Sequence, residues 1–594
     1  MATIVSRDEQ EMNLPAPNGG MNTKISPQLI PDDMSIDASN VLYNEVYSID
    51  KRAGNALFNS NVIVLYSAGS ISSISSNIVT GSGTVFTGNI NVNDRIIFGT
   101  ETTFYTVDAI TSSTAITISA THATLSTGYK VCPNKINKVV QYTRGTTSDL
   151  VAFAGKSIFT GGTGLSVATM TERTGATLTN NNKVSAVIGQ DILYFCDGST
   201  SSFQTMNTSY TIAAVGGSPP TDPKFVSMYT IGTANFLAVG GHTTNRSRID
   251  FSDANAFATW PAVNQYLFGD RDGTDVSGFA QQGGVFVVFK LNTTNFRAGS
   301  IYEFSGVPGT GQIRLVVPDI GCLSHHTIVP YEGTLIFFGV NRDGIVGVYQ
   351  YNGTSQVRYL SESIEATLQT LSFAGLDQAE AYIYKNQYFL GVRASGSYNN
   401  RTYVGNLKQL DNFYKQPKWS YTNRSFNSGI VYTVSGQGYP FYGSATNGFV
   451  YRDDTGNSDS TTDNILGNGA AISAYVDSKW FSPGNGIHLI EGIEDWIEVT
   501  DKGSWNLVAG YYKDWNSTGS DDYNINLSSS TLTWADVVYL VTPWQTATDK
   551  HIEQLRLRYP FFVRYFKKRY KNANSGEPFA VYPSRFVYKL EQRG

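Results

Sequence analysis

Charge is what this sequence has least of. Asp, Glu, Lys and Arg make up 15% of its 594 residues, against roughly 25% in an average soluble protein. So little charge on a 64.9 kDa chain points to a surface partly covered by partners. Cysteine is nearly missing. Cys132, Cys196 and Cys322 are too few and too scattered for a disulfide framework or a zinc site, so they read as buried free thiols. No apolar run approaches the roughly 18 residues that span a bilayer. The opening MATIVSRDEQEMN carries charges of both signs and no apolar core, unlike a secretory leader. A protein made and kept in the cytosol, then built into something larger, is the expectation.

What is abundant is β-chemistry. Gly (57), Tyr (36) and Phe (32) stand out, with Ser, Thr and Asn filling much of the rest. Aromatics and Thr suit half-buried pleated surfaces, while Gly and Asn supply positive-φ turns. The fold class is therefore all-β, and the length allows several cores. An apolar strand ending in a Gly-rich or Asn-rich turn returns along the chain, in LVAFAGKSIF, ILYFCDGS, NFLAVGG, GVFVVFK, GTLIFFGVNRDG, NQYFLGV and YPFYGSATNGFVY. Its centres are Phe153, Tyr194, Leu237, Val287, Ile336, Phe389 and Phe441. Each step has the length of about four short strands, one propeller blade. Such sheets bury their faces only by packing radially around an axis. Residues 132–452 are thus expected to form a β-propeller of six to eight blades.

Three other regions flank or interrupt this array. Residues 1–69 hold a ribbon, SPQLIPDDMSIDASNVLYNEVYSIDKRAG, in which Pro27 and Pro31 forbid helix and Asp32-Asp33 offers an N-cap for a short helical piece. Residues 70–131 read as an inserted small β-barrel or sandwich with strands in GTVFTG, DRIIFG, TFYTVDAI and TAITIS. Residues 453–594 read as a C-terminal β-domain that joins the N-terminal segment in a β-rich platform. Within it Leu555, Leu557 and Tyr559 alternate with Arg556 and Arg558, and PFAVYPSRFVYKL makes a strand interrupted at Pro583. The best helix is SESIEATLQTL, with Ser361 placed to cap it and Ile364, Leu368 and Leu371 on one face.

The residues assemble no catalytic, cofactor or metal site. Phosphate-loop, dinucleotide and nucleophile-elbow motifs are absent from the sequence. His325-His326, read as neighbours on a strand, would point to opposite faces. Glu494 and Glu498 in IEDWIEVT share a strand face roughly 13 Å apart, too far for glycosidase carboxylates, which need about 5–9.5 Å. Asp270, Asp272 and Asp275 resemble a calcium loop in oxygen density but lack its remaining spacing, and read as an Asp-Gly turn, as does Asp343-Gly344. Charge is uneven: His551 to Gly594 carries a net +7, leaving −12 on the rest. The cluster Arg564, Lys567, Lys568, Arg569 and Lys571 is the candidate contact for DNA phosphates or an acidic neighbouring protein.

Ordered phrases add a resemblance. They are GGMNTKISPQLIPDDMSIDASNVLYNE with KRAG (Gly19 to Gly54), RSRIDFSDANAFATWP (Arg246 to Pro261), DGTDVSGFAQQGGVFVVFK (Asp272 to Lys290), GCLSHHTIVPYEGTLIFFGVNRDGIVGVY (Gly321 to Tyr349), AYIYKNQYFLGV (Ala381 to Val392) and AISAYVDSKWF. In this order the chain resembles the tail nozzle proteins of short-tailed bacteriophages, also called tail tubular protein B. The resemblance implies a non-enzymatic virion protein of the tail, a homohexameric ring around a channel for double-stranded DNA. It also implies an adaptor ring and tail fibres or spikes as partners, and no cofactor. The rival reading is a carbohydrate-binding or glycan-cleaving β-propeller.

Overall fold

The computed structural model describes residues 9–591 apart from 44–47, 102, 123–125, 180–181, 295, 297–298, 409–415, 461–468, 484–488, 501, 528–549 and 558–561. Each of the seven sequence centres lies on the second strand of its own sheet. Phe153 is in Thr147–Ala154, Tyr194 in Ile192–Cys196, Leu237 in Ala234–Gly240 and Val287 in Val285–Leu291. Ile336 is in Thr334–Asn341, Phe389 in Gln387–Val392 and Phe441 in Gln437–Ser444. These second strands are buried on both faces, which is why they are continuous apolar runs. The sheets are antiparallel meanders, and the innermost strand of one packs against that of the next. The circle closes where Ile136–Arg144 meets Phe426–Val434. The protein is a seven-bladed β-propeller.

Two features depart from the expected boundaries. Blade seven contributes only three strands from its own stretch of sequence. Its outermost strand is Ala56–Leu57, which pairs with Val450–Arg452. The N-terminal segment therefore closes the propeller as well as feeding the platform. Blade six, in turn, does not end at its fourth strand. Lys418–Thr422 is followed by Ser35–Ser39, Ala474–Ser478, Phe566–Asn572, Asn506–Lys513 and Ser520–Asn526, so one nine-stranded sheet runs from the propeller into the platform.

A second platform sheet of seven strands faces this one. It joins Glu9–Leu14, Val41–Tyr43 and Ile49–Lys51 to the C-terminal strands Leu489–Thr500 and Ala580–Glu591. Side chains from both sheets, among them Val476, Tyr511, Phe566, Ile497 and Phe586, fill one core. The expected union of N- and C-terminal segments is present. Ala580–Glu591 runs through Pro583, with the irregular pairing near Val581 and Ser584 absorbing the missing donor.

Among its described residues the ribbon forms no helix. Asp32 pairs with Lys479 at 2.5 Å rather than capping one. Its backbone is satisfied within the same chain: Met21 N–H donates to Trp419 O, Thr23 N–H to Ser363 O, and Trp480 N–H to Pro27 O. The helical piece after Ser361 is a single turn, Glu365–Leu368, preceded by the 3-10 turn Glu362–Ile364. Ser361 does not cap it, because its Oγ accepts from Val348 N–H at 2.9 Å. In the insertion, a six-stranded sheet encloses its own core around Phe86, Phe98 and Val107. GTVFTG is a loop there, not a strand. Its Phe86 plugs the core, and the sheet begins with Ser70–Ser75 and Ile78–Ser82 instead.

Candidate functional site

The propeller axis is where all seven blades converge. A cavity of about 550 Å3 opens there, lined by Lys138, Ser185, Val226, Phe279, Glu380 and Gly429 from six innermost strands, and by His325 and His326 of blade five. In blade five the innermost strand is broken. Ile320–Cys322 and Val329–Tyr331 both pair with Thr334–Asn341, and the 3-10 turn His325–Thr327 sits between them. Thr327 Oγ1 stands in for the missing ladder partner by accepting from Phe338 N–H. The break swings both histidines toward the axis. Their rings lie 5.3 Å apart, so the reading of strand neighbours on opposite faces is corrected. Gly278 on the next blade permits this, since a Cβ there would stand 3.0 Å from His325 Cα.

Charge at the axis is internally bound. Glu380 is 1% exposed and accepts from Lys138 at 2.8 Å and Lys183 at 2.9 Å, with Ser428 Oγ donating at 3.3 Å. Lys183 also donates to the carbonyl of Asn427. Burial pushes the Lys183 ammonium down, and the Glu380 carboxylate works against that shift. Burial likewise pushes His325 down to about 3, helped by the charges of Lys138 and Lys224, and takes His326 in the same direction. The two imidazoles thus stand beside a doubly ion-paired carboxylate at the axis. Among the described residues, no group of three His, Cys, Asp or Glu is placed to hold a metal.

The basic cluster does not form one solvent-facing patch. Lys567 is buried and pairs with Asp477 at 2.6 Å, and Arg569 donates to the same carboxylate at 2.7 Å. Lys568 points the other way, into the platform core, and pairs with the fully buried Asp495. Lys571 pairs with Asp522 at 2.7 Å, and Arg564 is exposed. Neutralisation within the chain leaves little of this charge for phosphate. Asp477 and Asp495 are the residues that sequence reasoning missed. Asp495 alternates with Glu494 and Trp496 and so belongs to the inward face of its strand, a signal present in IEDWIEVT. Arg556 is exposed beside Glu494, with Leu555 and Leu557 buried as expected, while Arg558 and Tyr559 lie outside the described residues. Asp272 holds Lys290 at 2.8 Å, and Asp275 faces Arg246 and Thr293, so the aspartate loop is an ion-paired turn. All three cysteines are buried and free.

A second, smaller cavity of about 220 Å3 lies on the rim between blades two and three. Arg248 and Asp250 share one face of the strand Arg248–Phe251, and Gln265 sits opposite Asp250 on the neighbouring strand. Pro219 and Pro220 on the connecting loop, with Trp260, complete its wall.

No protein-family model matches the chain, and no curated protein matches it. Solved structures similar to it include virginiamycin B lyase from Staphylococcus aureus, at 9% identity over 54% of this chain and 94% of that one, TM-score 0.35. The β-propeller domain of the trilobed protease from Pyrococcus furiosus covers 54% of this chain and 96% of its own at 9% identity, TM-score 0.30. An exo-β-1,3-galactanase from Phanerochaete chrysosporium covers 77% and 96% at 10% identity, TM-score 0.25. Likeness at this level carries no activity across. Among the described residues, no helix is long and apolar enough to cross a membrane.

Proposed function

We propose that the chain is a non-enzymatic wall subunit of a ring-shaped conduit, the distal tail nozzle of a short-tailed bacteriophage. Six copies would sit on an adaptor ring, contact fibres or spikes, and let double-stranded DNA pass. The observation that carries this reading is the nine-stranded sheet linking blade six to the platform through the parallel pairing of Ser39 with Tyr421. Backbone hydrogen bonds across that seam tie the propeller to the base, as a wall under pressure requires. The ordered phrases from Gly19 to Phe481 support the same reading. The test is mass by light scattering, with negative-stain imaging of the purified chain. A hexameric ring with a central opening is the expected result, and a stable monomer that hydrolyses polysaccharide would overturn it.

A second reading, a carbohydrate-binding or glycan-cleaving propeller, is favoured in its binding form by the rim cavity at Asp250 and Trp260. The cleaving form has less support. Glycoside hydrolysis needs two carboxylates flanking the bond, whereas among the described residues Glu380 is the sole acidic one lining the axial cavity and is tied to Lys138 and Lys183.

A further inference from the structure

Two residues that line the rim cavity, Asp250 and Trp260, each carry a buried polar atom that the protein leaves unpaired. Asp250 is 2% exposed, and its Oδ2 is engaged by Arg248 Nε at 2.9 Å and approached by His242 Nε2 at 3.0 Å. Its Oδ1 has no hydrogen-bond partner. Trp260 presents the complementary case, an indole N–H that is sealed and has no acceptor. Each such group costs about 1–3 kcal/mol when buried unpaired. A buried polar group left unpaired in a native fold calls for a completing partner, such as an ordered water, an ion or a ligand.

Both side chains are built in. Trp260 is wedged against Phe203, with ring centroids 5.7 Å apart in an edge contact. The loop before it fits closely enough that a Cβ on Gly217 would fall 1.5 Å from Ala258 O. Asp250 is fixed by its two cationic or imidazole neighbours and by strand pairing with Gln265.

The unpaired atoms select the ligand chemistry. An unpaired carboxylate oxygen repels anions and asks for a donor, while an indole N–H asks for an acceptor. A hydroxyl satisfies either. Arg248 and Gln265 add further donors, and Pro219, Pro220 and Trp260 offer apolar surface for the C–H face of a ring. At about 220 Å3 the space is below the roughly 300–1,000 Å3 of sites for drug-sized ligands, so it suits one ring rather than a chain.

We propose that the cavity between blades two and three binds a neutral hexopyranose, the terminal residue of a glycan, with one hydroxyl donating to Asp250 Oδ1 and another accepting from Trp260 Nε1–H. Both atoms are sealed from solvent, so seating the sugar requires the Trp260 ring and the Asp250 carboxyl to turn toward the cavity. This deepens the carbohydrate-binding reading above, on which it rests, and is independent of the ring reading.

The test is titration calorimetry of the full chain with free galactose, glucose, mannose and N-acetylglucosamine, and with inorganic phosphate as the anionic probe. One neutral sugar binding with Kd of order millimolar is expected, and phosphate is expected not to compete. Trp260→Phe keeps the ring and removes the N–H, and should weaken binding about tenfold with unchanged melting temperature. Asp250→Asn should abolish it if that variant folds, and Trp260→Phe decides the matter if it does not. No heat from any sugar, phosphate competing for the site, or full-affinity binding by Trp260→Phe overturns the proposal. None of these outcomes bears on whether the chain forms a ring, which light scattering of the same samples reads separately.

Discussion

The guanidinium of Arg52 donates to both carboxylate oxygens of Asp459, at 2.7 and 2.5 Å, across 407 positions of sequence. The same guanidinium donates to Asn40 and to the carbonyl of Ala53, and the Arg52 side chain is almost fully buried. Two residues further on, the chain slips past Ser458 with no room for a side chain: a Cβ at Gly54 would stand 1.9 Å from Ser458 O. Lys-Arg-Ala-Gly is thus the fastener that seats Ala56–Leu57 as the closing strand of blade seven.

Loosening that fastener should open the propeller at its seam. Lysine cannot reproduce the two-pronged contact, so Arg52→Lys should cost about 1.5–3 kcal/mol. Gly54→Ala should cost more, because backbone must move. Urea unfolding measures the loss, and limited proteolysis should show new cleavage between 53 and 60 in both variants. A Gly54→Ala protein as stable and as protease-resistant as the parent would contradict this account.

Across the platform, Lys568 of one sheet meets Asp495 of the other inside the shared core, joined there by Tyr511 and Ser584. Burial alone would lower the Lys568 ammonium, but the Asp495 carboxylate outweighs it and the group is held above its usual range. Removing one partner strands a charge. Lys568→Met or Asp495→Asn should each destabilise the protein by about 3–5 kcal/mol, while a combined Lys568→Met, Asp495→Leu variant recovers most of that. Single variants within about 0.5 kcal/mol of the parent in chemical denaturation would refute the pairing.

Acid should weaken the propeller. His325 binds its proton near pH 6.5 in an unfolded chain but only near pH 3 at the axis. Between those values the unfolded state holds the extra proton, so stability is complete above about 6.5 and declines as pH falls toward 3. His326 acts in the same direction. Together they should remove a few kcal/mol over this window. The check is the melting temperature from pH 7 to pH 4 for the parent and for His325→Gln, whose curve should be flatter; parallel curves would contradict the assignment.

Much of the propeller was legible from local pattern. Residues such as Val151, Phe195, Val239, Val288 and Phe337 sit in strands covered on both faces, and a strand of that kind writes itself as an uninterrupted apolar run. The spacing of those runs needs no knowledge of what packs against what. The site at the axis was less legible. Reading His325-His326 as a strand required the ladder to continue, and only the pairing of two separate segments with Thr334–Asn341 reveals that it is broken.

By itself the sequence determined strand content and blade length, because burial periodicity and turn chemistry act over a few residues. Tertiary structure alone decided three things: that Ala56–Leu57 completes blade seven, that blade six continues into the platform, and that Lys567 and Lys568 face opposite carboxylates instead of solvent. Each depends on partners dozens to hundreds of positions away, and a basic side chain carries no local mark of whether water or an aspartate will meet it.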